Sequence, residues 1–153
     1  MRFSPGCSCC DAGCCGCAAV PASYDVVISG VTGGAIFDDL SDCHCPTING
    51  TYNLADSGDC FWLYNDPDYC TGSGSSGAID FIGIDIRLYC DETTWYLVIT
   101  VVLGYDDASQ RFYIAFYTKS RATWSCLGTN VMDFSSAGVT CSGWPATMTV
   151  TPV

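Results

Sequence analysis

The stretch Ile79-Asp80-Phe81-Ile82-Gly83-Ile84-Asp85-Ile86-Arg87-Leu88-Tyr89-Cys90 runs through Asp91-Glu92-Thr93-Thr94 into Trp95-Tyr96-Leu97-Val98-Ile99-Thr100-Val101-Val102-Leu103. Ile82, Ile84, Ile86 and Leu88 share one parity, while Asp85, Arg87 and Tyr89 share the other. A period of two is the mark of a strand with one buried face. The Asp91–Thr94 segment is a tight polar turn, so the stretch predicts two long strands joined as a hairpin.

The same pattern of short apolar runs and turn residues extends in both directions. Tyr24 to Ser29 reads as a strand closed by Gly30 and the Gly33-Gly34 pair. Gly50 to Leu54 and Cys60 to Tyr64 read as a hairpin around Ala55-Asp56-Ser57-Gly58-Asp59. Arg111 to Thr118, Arg121 to Cys126, Val131 to Phe134 and Ala146 to Thr151 complete a set of about nine strands. Gly72-Ser73-Gly74-Ser75-Ser76-Gly77 reads as a flexible loop. Val, Ile and Thr far outnumber Leu, and no window shows helical periodicity. The expected fold is all-β, an antiparallel sandwich or barrel stapled by disulfides. A Cys-rich N-terminal arm over residues 1–22 precedes a β domain over residues 23–153.

With 153 residues, 49% of them hydrophobic, the chain has the material for one well-packed domain. Five basic residues stand against 16 acidic ones, a net charge of -11. That surface repels nucleic acid and anionic membranes, so neither is expected as a partner. No apolar run suited to a signal peptide follows Met1-Arg2-Phe3-Ser4-Pro5-Gly6, and none is expected.

Thirteen cysteines are the compositional outlier. Cys7, Cys9, Cys10, Cys14, Cys15 and Cys17 crowd the arm; Cys43, Cys45, Cys60, Cys70, Cys90, Cys126 and Cys141 fall at strand ends and loops. All are disulfide candidates, the arm cysteines bonding within the arm, to the domain or to a neighbouring subunit. Cys126 and Cys141 flank the Val131–Phe134 strand and form a reasonable pair. The C-x-C and C-C spacings resemble those of metallothionein, but the C-x-x-C spacing of zinc knuckles is absent, so no metal or other cofactor is expected. The single histidine, His44, sits between Cys43 and Cys45 and points away from both in an extended segment.

Catalytic machinery has few places to arise. Any Ser-His or Cys-His arrangement needs His44, the single Lys119 sits in a turn, and no G-x-S-x-G, Walker or H-E-x-x-H motif occurs. Asp56, Asp59, Asp66, Asp68 and Asp106 neighbour turn-forming residues, where Asp is expected for conformational reasons. Asn65-Asp66-Pro67-Asp68, and Asp38-Asp39 with Asp42, carry oxygen ligands suited to Ca²⁺ without forming an EF-hand loop. Trp62, Tyr64, Trp95, Trp124 and Trp144 form either core or a sugar-stacking platform. Trp62 and Trp124 each lie two residues from a cysteine, and read as rings packed on disulfides. Asn49-Gly50-Thr51 fits the glycosylation pattern and reads as a turn entering a strand.

Asn49-Gly50-Thr51-Tyr52-Asn53-Leu54, Cys60-x-Trp62, Trp95-x-Leu97-x-Ile99 and Cys141-Ser142-Gly143-Trp144-Pro145-Ala146-Thr147-x-Thr149-Val150 together resemble a cysteine-rich β module. That module belongs to virion and surface structural genes of phage-like and planctomycete-type bacterial sequences, and the resemblance covers residues 43–151. It implies a particle or surface structural protein and brings no catalytic residues.

The expected role is therefore non-enzymatic: a minor capsid, decoration, tail or fibre component of a bacteriophage or similar particle. It would act by homo-oligomeric assembly with other virion subunits, in the virion or an extracellular assembly. Edge strands such as Ala146 to Thr151 would extend a partner's sheet. An extracellular filament or surface-layer subunit, a glycan- or receptor-binding module, and a metal-sequestering protein holding Zn²⁺ in the arm are the alternatives.

Overall fold

The computed structural model describes residues 16–17, 21–31, 48–74, 77–105, 110–137 and 144–153. Eight antiparallel strands follow one another around a closed barrel. They are β1 (Ser23–Ile28), β2 (Gly50–Asp56), β3 (Phe61–Gly74), β4 (Gly77–Cys90), β5 (Thr94–Tyr105), β6 (Gln110–Ser120), β7 (Asn130–Ala137) and β8 (Thr147–Pro152). Of the two expected architectures, the barrel is the one formed.

The Ile79–Leu103 hairpin forms as its alternation requires. Leu88 pairs with Leu97, Ile86 with Ile99 and Ile84 with Val101, and these six side chains are buried. Ala115 and Tyr117 of β6 continue the Ile99 and Leu97 rows inside the barrel. Tyr24, Val26 and Ile28 of β1, Leu54 of β2, and Met148 and Val150 of β8 complete the wall from the other side. Each fully buried aliphatic side chain contributes roughly 1.5–3 kcal/mol relative to exposure, so the period-two pattern fixes the register of every strand.

Closure removes the free edge expected at Ala146–Thr151. Strand β8 pairs with β7 through Met132–Met148 and with β1 through Val26–Val150. Both its backbone edges are occupied, so β-strand addition there is overturned.

The strand expected at Arg121–Cys126 does not form either. Arg121–Thr123 is a short 3-10 turn, and Ser120 caps it by accepting a hydrogen bond from Ala122 N. Thr123 Oγ1 donates to Ser120 O, 3.1 Å away, and tightens the same turn. Local side-chain bonds of this kind compete with ladder formation. The barrel therefore has eight strands, not nine.

The Gly72–Gly77 stretch also departs from the loop expected there. Ser73 pairs with Ala78 and Gly74 with Gly77, so the β3–β4 ladder runs up to the hairpin end. Ladder hydrogen bonds come from the backbone and need no side chain. Asn65-Asp66-Pro67-Asp68, expected in a turn, lies within β3 at a register shift between Asp66 and Cys70. Proline fits there because a bulge asks for no ladder N–H. Gly83 admits this bulge: a Cβ on it would lie 3.1 Å from Pro67 O.

Candidate functional site

The described connections β2–β3, β4–β5 and β6–β7 leave the same end of the barrel, and Cys17, Pro21 and Ala22 lie at that end ahead of β1. Here an aromatic cluster closes the interior. Trp95 of β5 and Trp124 stack with centroids 3.9 Å apart, and Tyr24 meets Trp62 edge-on at 4.9 Å. Trp62, Trp95, Tyr24 and Trp124 are all buried. Trp62 donates its indole N–H to Pro21 O at 3.1 Å, which ties the incoming segment to the cluster. Burial pushes the Tyr24 phenol up to about 12, with the neighbouring Trp124 indole opposing the shift. That contact stops short of a geometric hydrogen bond at both Tyr24 Oη and Trp124 Nε1.

Cys17 is bonded to Cys126, and the Cys17 side chain is buried. The expected Cys126–Cys141 pair is thus overturned: the 3-10 turn carries Cys126 under the barrel, where the residues preceding β1 also arrive. Cys60 and Cys90 are disulfide-bonded as well. Every cysteine whose side chain is described is therefore oxidised. Cys70 lies in β3, opposite Ile82. Cys7, Cys9, Cys10, Cys14, Cys15, Cys43, Cys45 and Cys141, with His44, Asp38, Asp39 and Asp42, lie outside the described residues. Among the described residues no group of three or more His, Cys, Asp or Glu is placed to hold a metal ion.

The tryptophan platform expected for sugar stacking is overturned for Trp62, Trp95 and Trp124, which are core. Trp144 is half-buried against the same core, and Tyr64 packs beside Tyr52 at 5.2 Å. A different aromatic row stands on the outer face. Phe61, Tyr89 and Tyr96 are neighbours across β3, β4 and β5. Their rings stack in sequence, 6.3 Å and 5.3 Å between centroids with interplanar angles of 27° and 23°. All three are half-buried. The signal for this row was present in the residues, since Tyr89 and Tyr96 sit symmetrically about the Asp91–Thr94 turn with outward parity.

Tyr96 Oη donates to Asp91 Oδ2 at 3.0 Å, tying the row to the β4–β5 turn. Asp91 Oδ1 accepts from Thr93 N and Thr94 N, each at 2.8 Å. Desolvation on its own would raise the Asp91 carboxyl, but the hydrogen bonds from Thr93, Thr94 and Tyr96 together outweigh it and hold the group below its ordinary value. The same bond to Asp91 raises the Tyr96 phenol.

The next residues of this turn border a cleft of about 530 Å³. Glu92 and Thr93 form one side, Ser120, Arg121 and Ala122 another, and Gly16, Trp124 and Cys126 complete the lining. Arg121 is held by its backbone and its tip: Arg121 N donates to Thr93 O at 2.8 Å, and Nη1 donates to Glu92 O at 3.2 Å. Sequence reading assigned Arg121 only to a strand, because the fold alone brings Gly16, Glu92 and Arg121 together.

The fold and these features define a disulfide-braced, up-and-down antiparallel barrel of eight strands with a cleft at its closed end. No protein-family model matches the chain, and no solved structure matches it. A pectin lyase from Bacillus subtilis is similar to it, 32% identical over 98 residues. The similar region is 56% of this chain and 27% of the lyase, so the chain spans about a quarter of that relative's length.

Proposed function

We propose that this chain is a non-catalytic structural module, a subunit of a particle or surface assembly that works outside the reducing cytoplasm. The observation that carries this reading is the oxidation of Cys17, Cys60, Cys90 and Cys126 around a closed, aromatic-filled barrel. Disulfides persist in oxidising surroundings, and pairing of the first strand with the last leaves neither of them as an open edge for edge-to-edge aggregation. The resemblance of residues 43–151 to virion and surface modules points the same way, toward a phage or similar particle with further copies of this chain as partners. The test is electrophoresis of the native assembly with and without reductant, beside electron microscopy. Defined oligomers or particles support the proposal; a monomer under every condition, with no assembly in the source, overturns it.

A second reading is a polysaccharide-directed module. Its support is the partial similarity to a pectin lyase, together with the outer Phe61-Tyr89-Tyr96 row. That similarity is also the one observation pointing toward catalysis. A quarter of an enzyme's length carries its binding or framework functions as readily as its chemistry, so we read the shared segment as a binding one.

A further inference from the structure

We propose that the Cys17–Cys126 bond is a thiol-exchange site, at which a low-molecular-weight thiol of the glutathione class enters the cleft at the closed end of the barrel and forms a mixed disulfide on Cys126. Such a site is independent of which assembly or polymer the chain serves. Cys17, Cys60 and Cys90 are buried, at 2%, 6% and 2% exposure. Cys126 is half-buried and lies between exposed Ser125 and Leu127. It also lines the cleft, together with Gly16, the residue before Cys17. The cleft's volume of about 530 Å³ is within the range of small-molecule sites. Exchange requires the attacking sulfur to come in line with the bond that it breaks, so access decides which sulfur is attacked. Of this pair, Cys126 is the half reached from solvent, and Cys17 is the half that leaves.

The charge beside the bond favours that direction. The Arg121 guanidinium packs on the Gly16 backbone, where a Cβ would lie 3.3 Å from Nε and 3.4 Å from Nη2. Its Nη1 donates to Glu92 O at 3.2 Å, which fixes the group in place. Among the described residues Arg87 is paired with Asp85, whereas Arg121 makes no ion pair. An unneutralised cation therefore stands one residue from Cys17. A nearby cation favours thiolate over thiol, and a better leaving thiolate departs faster. Glu92 lines the same cleft and opposes the approach of an anionic thiol. In the step itself, the incoming thiolate sulfur bonds to Cys126 Sγ and the Cys17–Cys126 bond breaks. Its electron pair stays on Cys17 Sγ, which then takes a proton from water. A second thiol molecule attacks the adduct, departs as the oxidised dimer of the thiol, and leaves Cys126 reduced. Opening detaches Cys17 from the β6–β7 connection. The segment ahead of β1 is then held by the bonds from Trp62 Nε1 to Pro21 O and from Asp56 N to Ala22 O. It stays fastened in oxidising surroundings and loosens where thiols are abundant.

The test is timed incubation of the full oxidised chain with reduced glutathione, quenched with N-ethylmaleimide and mapped by peptide mass spectrometry. Among Cys17, Cys60, Cys90 and Cys126, the first product carries glutathione on Cys126 and N-ethylmaleimide on Cys17, with Cys60 and Cys90 still bonded. Arg121→Gln slows this opening by about threefold, because the leaving thiolate loses its neighbouring charge. Arg121→Lys gives up the same guanidinium packing but keeps the charge, and stays near the native rate. Loosening of the turn by either substitution would speed the opening, so a merely structural role has the opposite sign. Glu92→Gln speeds the reaction with anionic glutathione and not with neutral 2-mercaptoethanol. Opening of Cys60 or Cys90 before Cys17, or glutathione on Cys17 in place of Cys126, overturns the site. Equal rates for Arg121→Gln and the native chain overturn the part given to Arg121.

Discussion

The indole rings of Trp95 and Trp124 lie parallel, 3.9 Å between centroids and 10° between planes. Trp95 comes from β5, and Trp124 follows the 3-10 turn at Arg121–Thr123 that leaves the neighbouring strand β6. Their stack joins the β6–β7 connection to the core. Trp124→Ala removes one whole face of that contact and opens the base beneath Tyr24. The expected loss is about 3–5 kcal/mol, and Trp124→Phe should cost less because a ring still meets Trp95. Urea unfolding of the two variants checks both the size and the order.

The Cys17–Cys126 bond spans a sequence separation of 109. A cross-link over so long a loop restricts the unfolded chain by about 4–5 kcal/mol in isolation. Other disulfides in the same chain shorten the loop that it alone closes, so replacing both cysteines by Ala should cost roughly 2–4 kcal/mol. The effect should also be local. Asp56 N donates to Ala22 O at 3.1 Å, and Trp62 Nε1 to Pro21 O at 3.1 Å. Hydrogen exchange at those two groups should accelerate more than exchange within β4 and β5.

The residues that decided the fold are those in which every local signal agrees. In Ile79–Leu103 the alternation, the polar turn and the β-branched composition all favour one hairpin, and it forms. The hairpin around Ala55–Asp59 was equally legible, with Gly58 N bonded to Asp56 Oδ1 at 2.8 Å. Asn49 was legible as a strand-opening turn: its amide brackets Val31, accepting from the N–H and donating to the carbonyl. Illegible features depend on contacts between distant segments. Nothing in the spacing of Cys17 and Cys126 reveals that one precedes the first strand by a few residues while the other lies under the barrel's base. The Gly/Ser-rich run after Cys70 resembles a loop in composition, yet the long β4 partner carries it into the ladder. The place of Arg121 is illegible because its neighbours in the cleft are 29 and 105 positions away, at Glu92 and Gly16.

Buried phenols should make the protein alkali-sensitive. Burial raises the Tyr24 phenol from 10.0 to about 12, and it also raises Tyr52 and Tyr117. The folded chain then keeps protons that the unfolded chain releases, so stability falls as pH rises. The contribution is complete below pH 10, the unfolded value, and for Tyr24 it is lost across the window from 10 to about 12. Rapid phenolate absorbance titration should show these rings ionising late and together with unfolding. Smooth titration of all nine tyrosines near their ordinary value, with the fold intact, would contradict the burial.

The β2–β3 turn holds Asp59 at φ 55 and Cys60 at φ 60, directly after Gly58 at φ 84. A side chain in the left-handed region costs on the order of 1 kcal/mol, less for Asp than for most residues. Cys60 is committed to its disulfide, which leaves Asp59 as the position to relieve. Asp59→Gly should stabilise the protein by about 0.5 kcal/mol, the relief of strain being partly offset by the greater freedom of glycine in the unfolded chain. Asp59→Val should destabilise it, because a β-branched residue fits that conformation worst. Melting curves of the pair check the opposite signs.

Asn130 is the buried polar side chain among the described residues. Its Oδ1 accepts from Ser125 N at 2.7 Å, while Nδ2 donates to Ser125 O at 2.8 Å and Gly128 O at 3.1 Å. One amide thereby pairs three backbone groups of the connection that also carries Trp124 and Cys126. Asn130→Ala leaves those groups without the amide in a site shielded from water, at a cost of about 1–3 kcal/mol each when no water replaces it. Asn130→Asp keeps the acceptor but turns the donor into a carboxylate oxygen facing two carbonyls, so it should be destabilised at neutral pH and partly recover in acid as the carboxyl gains a donor proton. Denaturation of both variants at neutral and acidic pH separates the outcomes: recovery confined to Asn130→Asp identifies the donated bonds to Ser125 and Gly128 as what holds the connection in place. Equal stability of Asn130→Asp and the native chain at neutral pH would mean that these bonds contribute nothing.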